Sequence, residues 1–271
     1  MEFLELKNAN YGYSKSFHLS NVSFSVSKGT LTGIIGPNGS GKSTLLKGIT
    51  GEIPVLHHQV FLKGKDISCF SENERAKEIA VVIQATEPLN MTVEEYVLMG
   101  RIPYRKRYQL FETDKDFEIA GKYMKLTDTY HLRGKNFSTL SGGEQQLATI
   151  AKALTQEPSL LLLDEPTSHL DISHQVQILN LIRELTHNLG LTVIMVIHDL
   201  NLASEYCDYL VLMNKGTLYK NGSPNEVLNF KNIEEVFNTV VITQENPLSK
   251  KPSVFLVSNK VLTDSSKNKY K

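Results

Sequence analysis

Leu31-Thr32-Gly33-Ile34-Ile35-Gly36-Pro37-Asn38-Gly39-Ser40-Gly41-Lys42-Ser43-Thr44 decides the fold. A short, largely apolar run leads straight into a glycine-rich loop, and Lys42 to Ile49 can continue as a helix. Gly36 to Ser43 fits the pattern Gly-x4-Gly-Lys-Ser/Thr. Loop glycines let successive backbone amides turn toward one anion. Gly36, Asn38, Gly39, Ser40, Gly41, Lys42, Ser43 and Thr44 are therefore expected around the phosphates of a nucleotide. Lys42 is expected to reach the outer phosphates and to take part in catalysis, and the Ser43 hydroxyl to ligate Mg²⁺. An accidental match in a chain of this length has a probability of roughly one in a hundred. The strand before it and the helix after it make an accident negligible.

Outward from the loop, Phe3-Leu4-Glu5-Leu6 and Val22-Ser23-Phe24-Ser25-Val26 alternate apolar and polar residues, as half-buried antiparallel strands do, with a turn at Lys28-Gly29. Ile79-Ala80-Val81-Val82-Ile83 predicts a buried strand ending at Gln84. From Pro88 the pattern becomes helical: Thr92-Val93-Glu94-Glu95 has the form of a capping box, and Pro158 closes the region. Leu160-Leu161-Leu162-Leu163 and Leu191-Thr192-Val193-Ile194-Met195-Val196-Ile197 are continuous apolar runs, the mark of parallel strands covered on both faces. Between them Val176, Leu179, Ile182 and Leu185 predict one buried face of a helix over 175–188. Tyr209 to Met213 and Gly216 to Tyr219 predict a hairpin turning at Asn214-Lys215. The expected architecture is α/β: a three-layer P-loop NTPase core with a mainly parallel sheet, antiparallel β additions and an inserted helical subdomain. The expected core is 1–87 with 158–240 and the insert 88–157. Residues 241–271 form an extension whose polar end, from Thr263, is expected to be disordered.

Leu163-Asp164-Glu165-Pro166 ends an apolar strand in two carboxylates, and strand ends in such sheets are where ligands sit. Asp164 is expected to hold the metal, and Glu165 to orient or deprotonate an attacking water. Gln84 and His198 each end a strand expected to lie beside the phosphate loop, so both could reach the γ-phosphate and its water, Gln84 also as a metal ligand. Leu140-Ser141-Gly142-Gly143-Glu144-Gln145 is a second glycine turn opening a helix, a second phosphate-binding device. One nucleotide needs one cradle. Two copies of the chain that lend Ser141, Gly142 and Gly143 to each other's phosphate loops explain the surplus.

Lys+Arg and Asp+Glu both number 29, so no broad basic face is available to capture nucleic acid, and Arg105-Lys106-Arg107 reads as a solvated loop. The two cysteines, Cys69 and Cys207, suit buried packing, not a disulfide framework or a zinc cluster. No apolar run approaches the roughly 20 residues that span a bilayer, and the start lacks a signal-peptide pattern, so a cytoplasmic location is expected.

Together these strings resemble the nucleotide-binding subunit of an ATP-binding cassette (ABC) transporter over about residues 1–240. In that family's terms Gly36 to Thr44 is similar to the Walker A loop, Gln84 to the Q-loop, and Leu140 to Gln145 to the signature. Leu160 to Glu165 is similar to the Walker B strand, Ser168-His169-Leu170-Asp171 to the D-loop and His198 to the switch histidine. The resemblance implies two copies sandwiching two ATP molecules with Mg²⁺, with Asp171 near the nucleotide. It implies membrane permease subunits as partners, with a substrate-binding protein indirectly, at the cytoplasmic face of the membrane. A segment around Met91 to Arg107 would carry the motion to the permease. Tyr13, with Tyr11 as the neighbour that competes for the role, matches the aromatic that stacks on adenine. The chain departs from the family at Gln145-Gln146-Leu147, which drops the usual arginine.

Met99-Gly100-Arg101-Ile102-Pro103-Tyr104, His169-Leu170-Asp171-Ile172-Ser173-His174-Gln175 and His198-Asp199-Leu200-Asn201-Leu202-Ala203 are similar to ATPases of importers for iron-siderophores, haem and cobalamin. The alternatives are a zinc or manganese importer, an exporter, or a soluble ABC protein acting on nucleic acid or ribosomes.

Overall fold

Alternation in the first residues produces β1 (Leu4–Ser14) and β2 (Phe17–Val26), paired antiparallel with Leu4 opposite Val26 and Leu6 opposite Phe24. The computed structural model describes residues 2–14, 17–83, 89–109 and 111–258, the side chains of Tyr13, Ser14 and Phe17 excepted. β3 (Leu31–Ile35) is buried throughout and delivers the glycine loop to α1 (Lys42–Thr50). β4 (Val60–Leu62) and β5 (Lys65–Asp66) complete a four-stranded antiparallel sheet of order β2-β1-β4-β5, and α2 (Glu72–Glu78) leads into β6 (Ile79–Val82).

Helices follow: α3 (Val93–Leu98), a 3₁₀ turn over Met99–Tyr104, α4 (Asp114–Leu126) and α5 (Gly142–Leu154). The chain then alternates strand and helix through β7 (Leu160–Asp164), α6 (Ile172–His187), β8 (Thr192–Val196), α7 (Leu200–Tyr206) and β9 (Tyr209–Asn214). β10 (Thr217–Gly222), α8 (Pro224–Val227), α9 (Phe230–Phe237) and the pair β11 (Val241–Glu245) and β12 (Pro252–Leu256) complete it.

The central sheet has the order β10-β9-β3-β8-β7-β6, parallel except for the β10 edge. Alternate residues of one strand serve opposite faces, which is why the apolar runs are unbroken. Leu160, Leu162, Ile194 and Val196 meet α1 and the antiparallel sheet, while Leu161, Leu163, Val193 and Met195 meet the buried sides of α5 and α6. β8 and β9 flank β3. β6 does not: β8 and β7 stand between it and the phosphate loop, contrary to the expectation that both Gln84 and His198 end strands beside the loop. An apolar run reports that both faces are covered and says nothing of strand order.

A third cluster, with Tyr96, Val97, Met124 and Phe137, joins α3, α4 and α5. Helix α5 has two apolar sides: Ala148 and Ala151 belong to this cluster, Leu147, Ile150 and Leu154 to the sheet. At the far end of α5, Gly100 lies so close to Thr155 Oγ1 and the Lys152 carbonyl that no side chain fits there. Buried Arg101 donates to Asp116, to the Thr155 carbonyl and to Glu157. The Met99–Tyr104 string is thus a strut between α4 and the end of α5.

Two further expectations are corrected, and one region has structure that its sequence pattern does not announce. Cys207 is buried, its thiol pushed up to about 12 by burial, but Cys69 is exposed in a 3₁₀ turn. The β9–β10 turn falls on Lys215-Gly216, both at positive φ, one residue beyond the expected pair. Residues 241–256, where the sequence pattern thins, form a hairpin held to α7 by Asn201, which donates to the Val254 carbonyl and accepts from its amide.

Candidate functional site

Gly36, Gly39 and Gly41 all take φ between 76° and 148°, the left-handed side of conformational space that a glycine enters without penalty. Their placement bends the loop so that α1 starts on Gly41 with no side-chain cap, leaving its first amides for an anion. A Cβ on Gly39 would meet nothing within 4 Å, because that side of the loop is the cleft. The cleft, about 490 Å³, is lined by Asn38, Gly39, Gly41, Lys42, Ser43, Thr44 and Glu165. Gly36 and Ser40 face the other way. Gly36 presses on the Met213 carbonyl and the Ser40 hydroxyl, which is buried beneath the loop, while the Ser40 carbonyl accepts the Gly216 amide.

Lys42 is buried, and its ammonium donates to the carbonyls of Gly36 and Pro37 at 2.9 and 3.1 Å. Burial lowers its pKa, and the charges of Glu165 and Asp164 oppose the shift. Asp164, at the end of β7, accepts from the Ser43 hydroxyl at 3.4 Å. Its pKa is raised, first by burial and further by Glu165, against the Ser43 hydrogen bond and the charge of Lys42. A half-buried carboxylate beside a hydroxyl is a hard-oxygen pair suited to a divalent cation, which would offset that desolvation.

Glu165 stands at φ 52°, a conformation that costs a non-glycine residue about 1–2 kcal/mol. The amide and the hydroxyl of Ser168 both donate to its carbonyl and hold the turn, so the carboxylate faces the cleft. Glu165 Oε1 shares a hydrogen bond with His198 Nε2, which arrives from the end of β8 on the strand next to the loop. β3, β7 and β8 therefore deliver Lys42, Ser43, Asp164, Glu165 and His198 to one place.

The second glycine turn is not in that place: none of Ser141, Gly142 and Gly143 lines the cleft. Ser141 caps α5 in a full capping box, its amide and hydroxyl donating to Glu144 Oε2 while its oxygen accepts the Glu144 amide. Asp171 caps α6, accepting from the His174 amide, the Ser173 hydroxyl and the His174 ring. These bonds, the His174 amide foremost, hold its carboxyl down to about 2. Gln175 Nε2 donates to the carbonyls of Thr167 and Leu170, pinning the loop between β7 and α6.

Tyr11 and Tyr13 separate cleanly in one respect. Tyr11 is buried, its ring fills a slot that Gly48 of α1 leaves open, and its hydroxyl donates to the Leu45 carbonyl from beneath the helix. It has no access to the cleft. Tyr13 lies on β1, but its side chain is outside the described residues, as are Gln84 and all else in 84–88. Leu147, where the family's arginine is missing, is buried against the sheet and α6. His174 was visible in the sequence only as a letter in a string; no periodicity marks a ring that packs on a glycine of another helix.

A family model described as ABC transporter matches residues 19–168, more than half of the chain. The chain is 37% identical over 244 residues to the ferric enterobactin transport ATP-binding protein FepC of Escherichia coli (strain K12), covering 90% of each. It is 39% identical over 250 residues to the ABC transporter ATP-binding protein YvrA of Bacillus subtilis (strain 168), covering 92% of this chain and 57% of that longer protein. Among solved structures, a chain of an inward-facing ABC transporter assigned to the metal-chelate type superposes with a TM-score of 0.83 at 27% identity, covering 97% of this chain and all of that one. The post-hydrolysis dimer of the cassette MJ0796 bound to ADP and Pi gives 0.70 at 27% identity, covering 81% and 98%.

Proposed function

The chain belongs to the ABC transporter family of ATP-hydrolysing cassettes, and from that premise we propose that it powers uptake of an iron complex, siderophore or haem, or of cobalamin. Two copies enclose two ATP molecules and act on separate permease subunits at the cytoplasmic face of the membrane, which a substrate-binding protein supplies. One observation carries the shared-site reading: the cleft is lined by the phosphate loop and Glu165, to which Asp164 and His198 are hydrogen-bonded through Ser43 and Glu165, and not by Ser141, Gly142 or Gly143. The substrate class is supported by relatives such as FepC and by the likeness to a transporter of the metal-chelate type. No helix among the described residues is long and apolar enough to cross a membrane.

In this mechanism the loop amides of 36–44 bind the phosphates and Lys42 leaves the Gly36 and Pro37 carbonyls for the γ-phosphate. Ser43 and Asp164 would hold Mg²⁺, which when bound neutralises charge on the phosphate oxygens. Glu165 orients the attacking water and takes its proton toward the carboxylate, with His198 fixing the orientation of Glu165. The partner's α5 start adds its amides and dipole to the charge that develops on the transferred phosphoryl group. Tyr13 would stack on adenine, Gln84 would help hold Mg²⁺ and Asp171 would approach the neighbouring nucleotide. The exposed Met99 and Ile102 lie on the segment that would meet the permease.

Mixing tests the shared site. Lys42→Ala and Ser141→Arg chains should each be nearly inactive, and a mixed dimer should turn over ATP because one intact site is rebuilt. Absence of turnover in the mixed dimer would remove the shared site.

A further inference from the structure

We propose that His174 is a positioning residue for the Gly142-Gly143 turn, and that it therefore acts on the nucleotide held by the partner copy and not on the chain's own. The inference rests on the shared-site reading. Its ground is one contact between two helix starts. A Cβ on Gly143 would lie 2.8 Å from His174 Nε2 and closer still to Cγ and Cδ2, so the imidazole is packed onto the backbone of the second residue of α5. Leu170 covers the neighbouring position, its Cδ2 being 3.5 Å from a Cβ on Gly142. Glycine at 143 is required by this ring: the helix backbone comes close because nothing stands between.

The ring is itself held. Its Nδ1 pairs with Asp171 Oδ1 at 2.9 Å, and the same carboxylate oxygen accepts the His174 amide, so cap and ring share one anchor. Helix α6 is fixed beneath it by buried Ile178, Leu179, Ile182 and Leu185. His174 is therefore a wedge on a rigid base, and the surface it supports is the turn whose amides and hydroxyl would meet a phosphate. Ser141 and Gly142 are exposed, whereas Gly143 is buried under the ring. The only other route for an effect runs through the chain's own loop 165–171, where Glu165 begins and Asp171 ends. Through Glu165 that route would make His174 act within its own chain, the opposite outcome. Through Asp171, which would approach the neighbouring nucleotide, it would act across the dimer as the turn does, and His174→Asn, which keeps a donor for Asp171, separates that route from the turn.

Dimers of defined composition, isolated with a different affinity tag on each chain, separate them. In the first, a chain carrying His174→Ala and Lys42→Ala is paired with wild type, so the one competent phosphate loop faces a signature that lacks its support. In the second, a His174→Ala chain is paired with a Lys42→Ala chain, so the competent loop belongs to the variant and the signature facing it is intact. The reference is wild type paired with Lys42→Ala. We expect kcat/KM for ATP to fall on the order of ten- to a hundred-fold in the first dimer, the range a misplaced contact commands, and to stay within about twofold of the reference in the second. A loss in the second dimer alone, equal losses in both, or no loss in either overturns the proposal. The Lys42→Ala and Ser141→Arg pair is run beside them: if that pair is inactive, the shared site itself has failed. Should the alanine variant melt well below wild type, His174→Asn keeps a donor for Asp171 and the cap of α6 while removing the ring, and goes through the same two pairings with the same expectations.

Discussion

Helices α1 and α5 both start on glycines, and the amides at their two starts are served differently. At α1 the N-cap is Gly41, which offers no side chain, while the ammonium of Lys42 reaches across the loop to the carbonyls of Gly36 and Pro37. At α5 Ser141 and Glu144 satisfy each other in a closed capping box. A helix start without a side-chain cap leaves all its first amides to an anion, whereas a capping box takes up the amides of Ser141 and Glu144 and leaves those of Gly142 and Gly143 outside it. The difference teaches how one chain can carry two phosphate-binding turns without confusing them. The first keeps its cap free of side chains, and the second commits Ser141 to Glu144 and keeps only the amides of Gly142 and Gly143 for a phosphate that a partner would bring.

The comparison breaks most visibly at the first start. Chemistry is placed there, so Glu165→Gln should cut ATP turnover by about 10²–10⁴, the range of a general base, while ATP binding and pairing of the two copies persist. Near-normal turnover would take Glu165 out of the reaction and leave His198, its hydrogen-bond partner, as the group to test.

The next effect falls on the second start, through its base. Leu147 packs against the sheet and α6 from the second turn of α5. Leu147→Ala should cost about 2–5 kcal/mol by leaving a cavity, read as a lower midpoint of denaturant unfolding. Leu147→Arg would force a charge into the same buried space and should be worse, although arginine is the residue the family usually has here. A mild effect of arginine would show that α5 and α6 can part enough to let it out to solvent.

A smaller effect is expected at the cap itself. Glu144→Ala removes the acceptor for the Ser141 amide and hydroxyl, and should lower stability by about 1 kcal/mol. Because the amides of Gly142 and Gly143 lie outside the box, turnover should survive it, in contrast to Lys42→Ala. Loss of turnover equal to that of Lys42→Ala would mean that the box is part of the working site and not only a cap that stabilises α5.

What the sequence could say about these two starts was uneven for physical reasons. The first start was legible because the glycine pattern, the apolar β3 before it and the four leucines of β7 are local signals. The composition of the second turn was legible too, but not its distance from the cleft, because a capping box looks the same whatever faces it. The order of the central sheet was hidden, so β6 was expected beside β3 and is three places away. The β11–β12 hairpin was missed because only Val241 and Val254 point inward, while Ile242, Phe255 and Leu256 are exposed and spoil the alternation. His174 and Asn201 could not have been singled out: each does its work by touching backbone brought near by the fold, and a side chain's letter does not say which backbone that will be.

The smallest expected effect sharpens the first start from below. Tyr11 and Tyr13 are two residues apart on β1, so they point to the same face of the strand by period, yet β1 carries register shifts between Ala9 and Tyr11 and between Gly12 and Ser14. Tyr11 goes under α1, where burial pushes its phenol pKa up and its hydroxyl donates to the Leu45 carbonyl. Tyr11→Phe keeps the ring in the Gly48 slot and removes one buried hydrogen bond, so it should cost about 1 kcal/mol and leave KM for ATP unchanged. Tyr13→Ala should do the reverse, raising KM with little change in stability, if that ring lies on adenine. The pair is decisive because the two substitutions exchange signatures. Should Tyr11→Phe raise KM as Tyr13→Ala does, the loop's open amides depend on the support of α1 from beneath, and the first start is as conditional as the second.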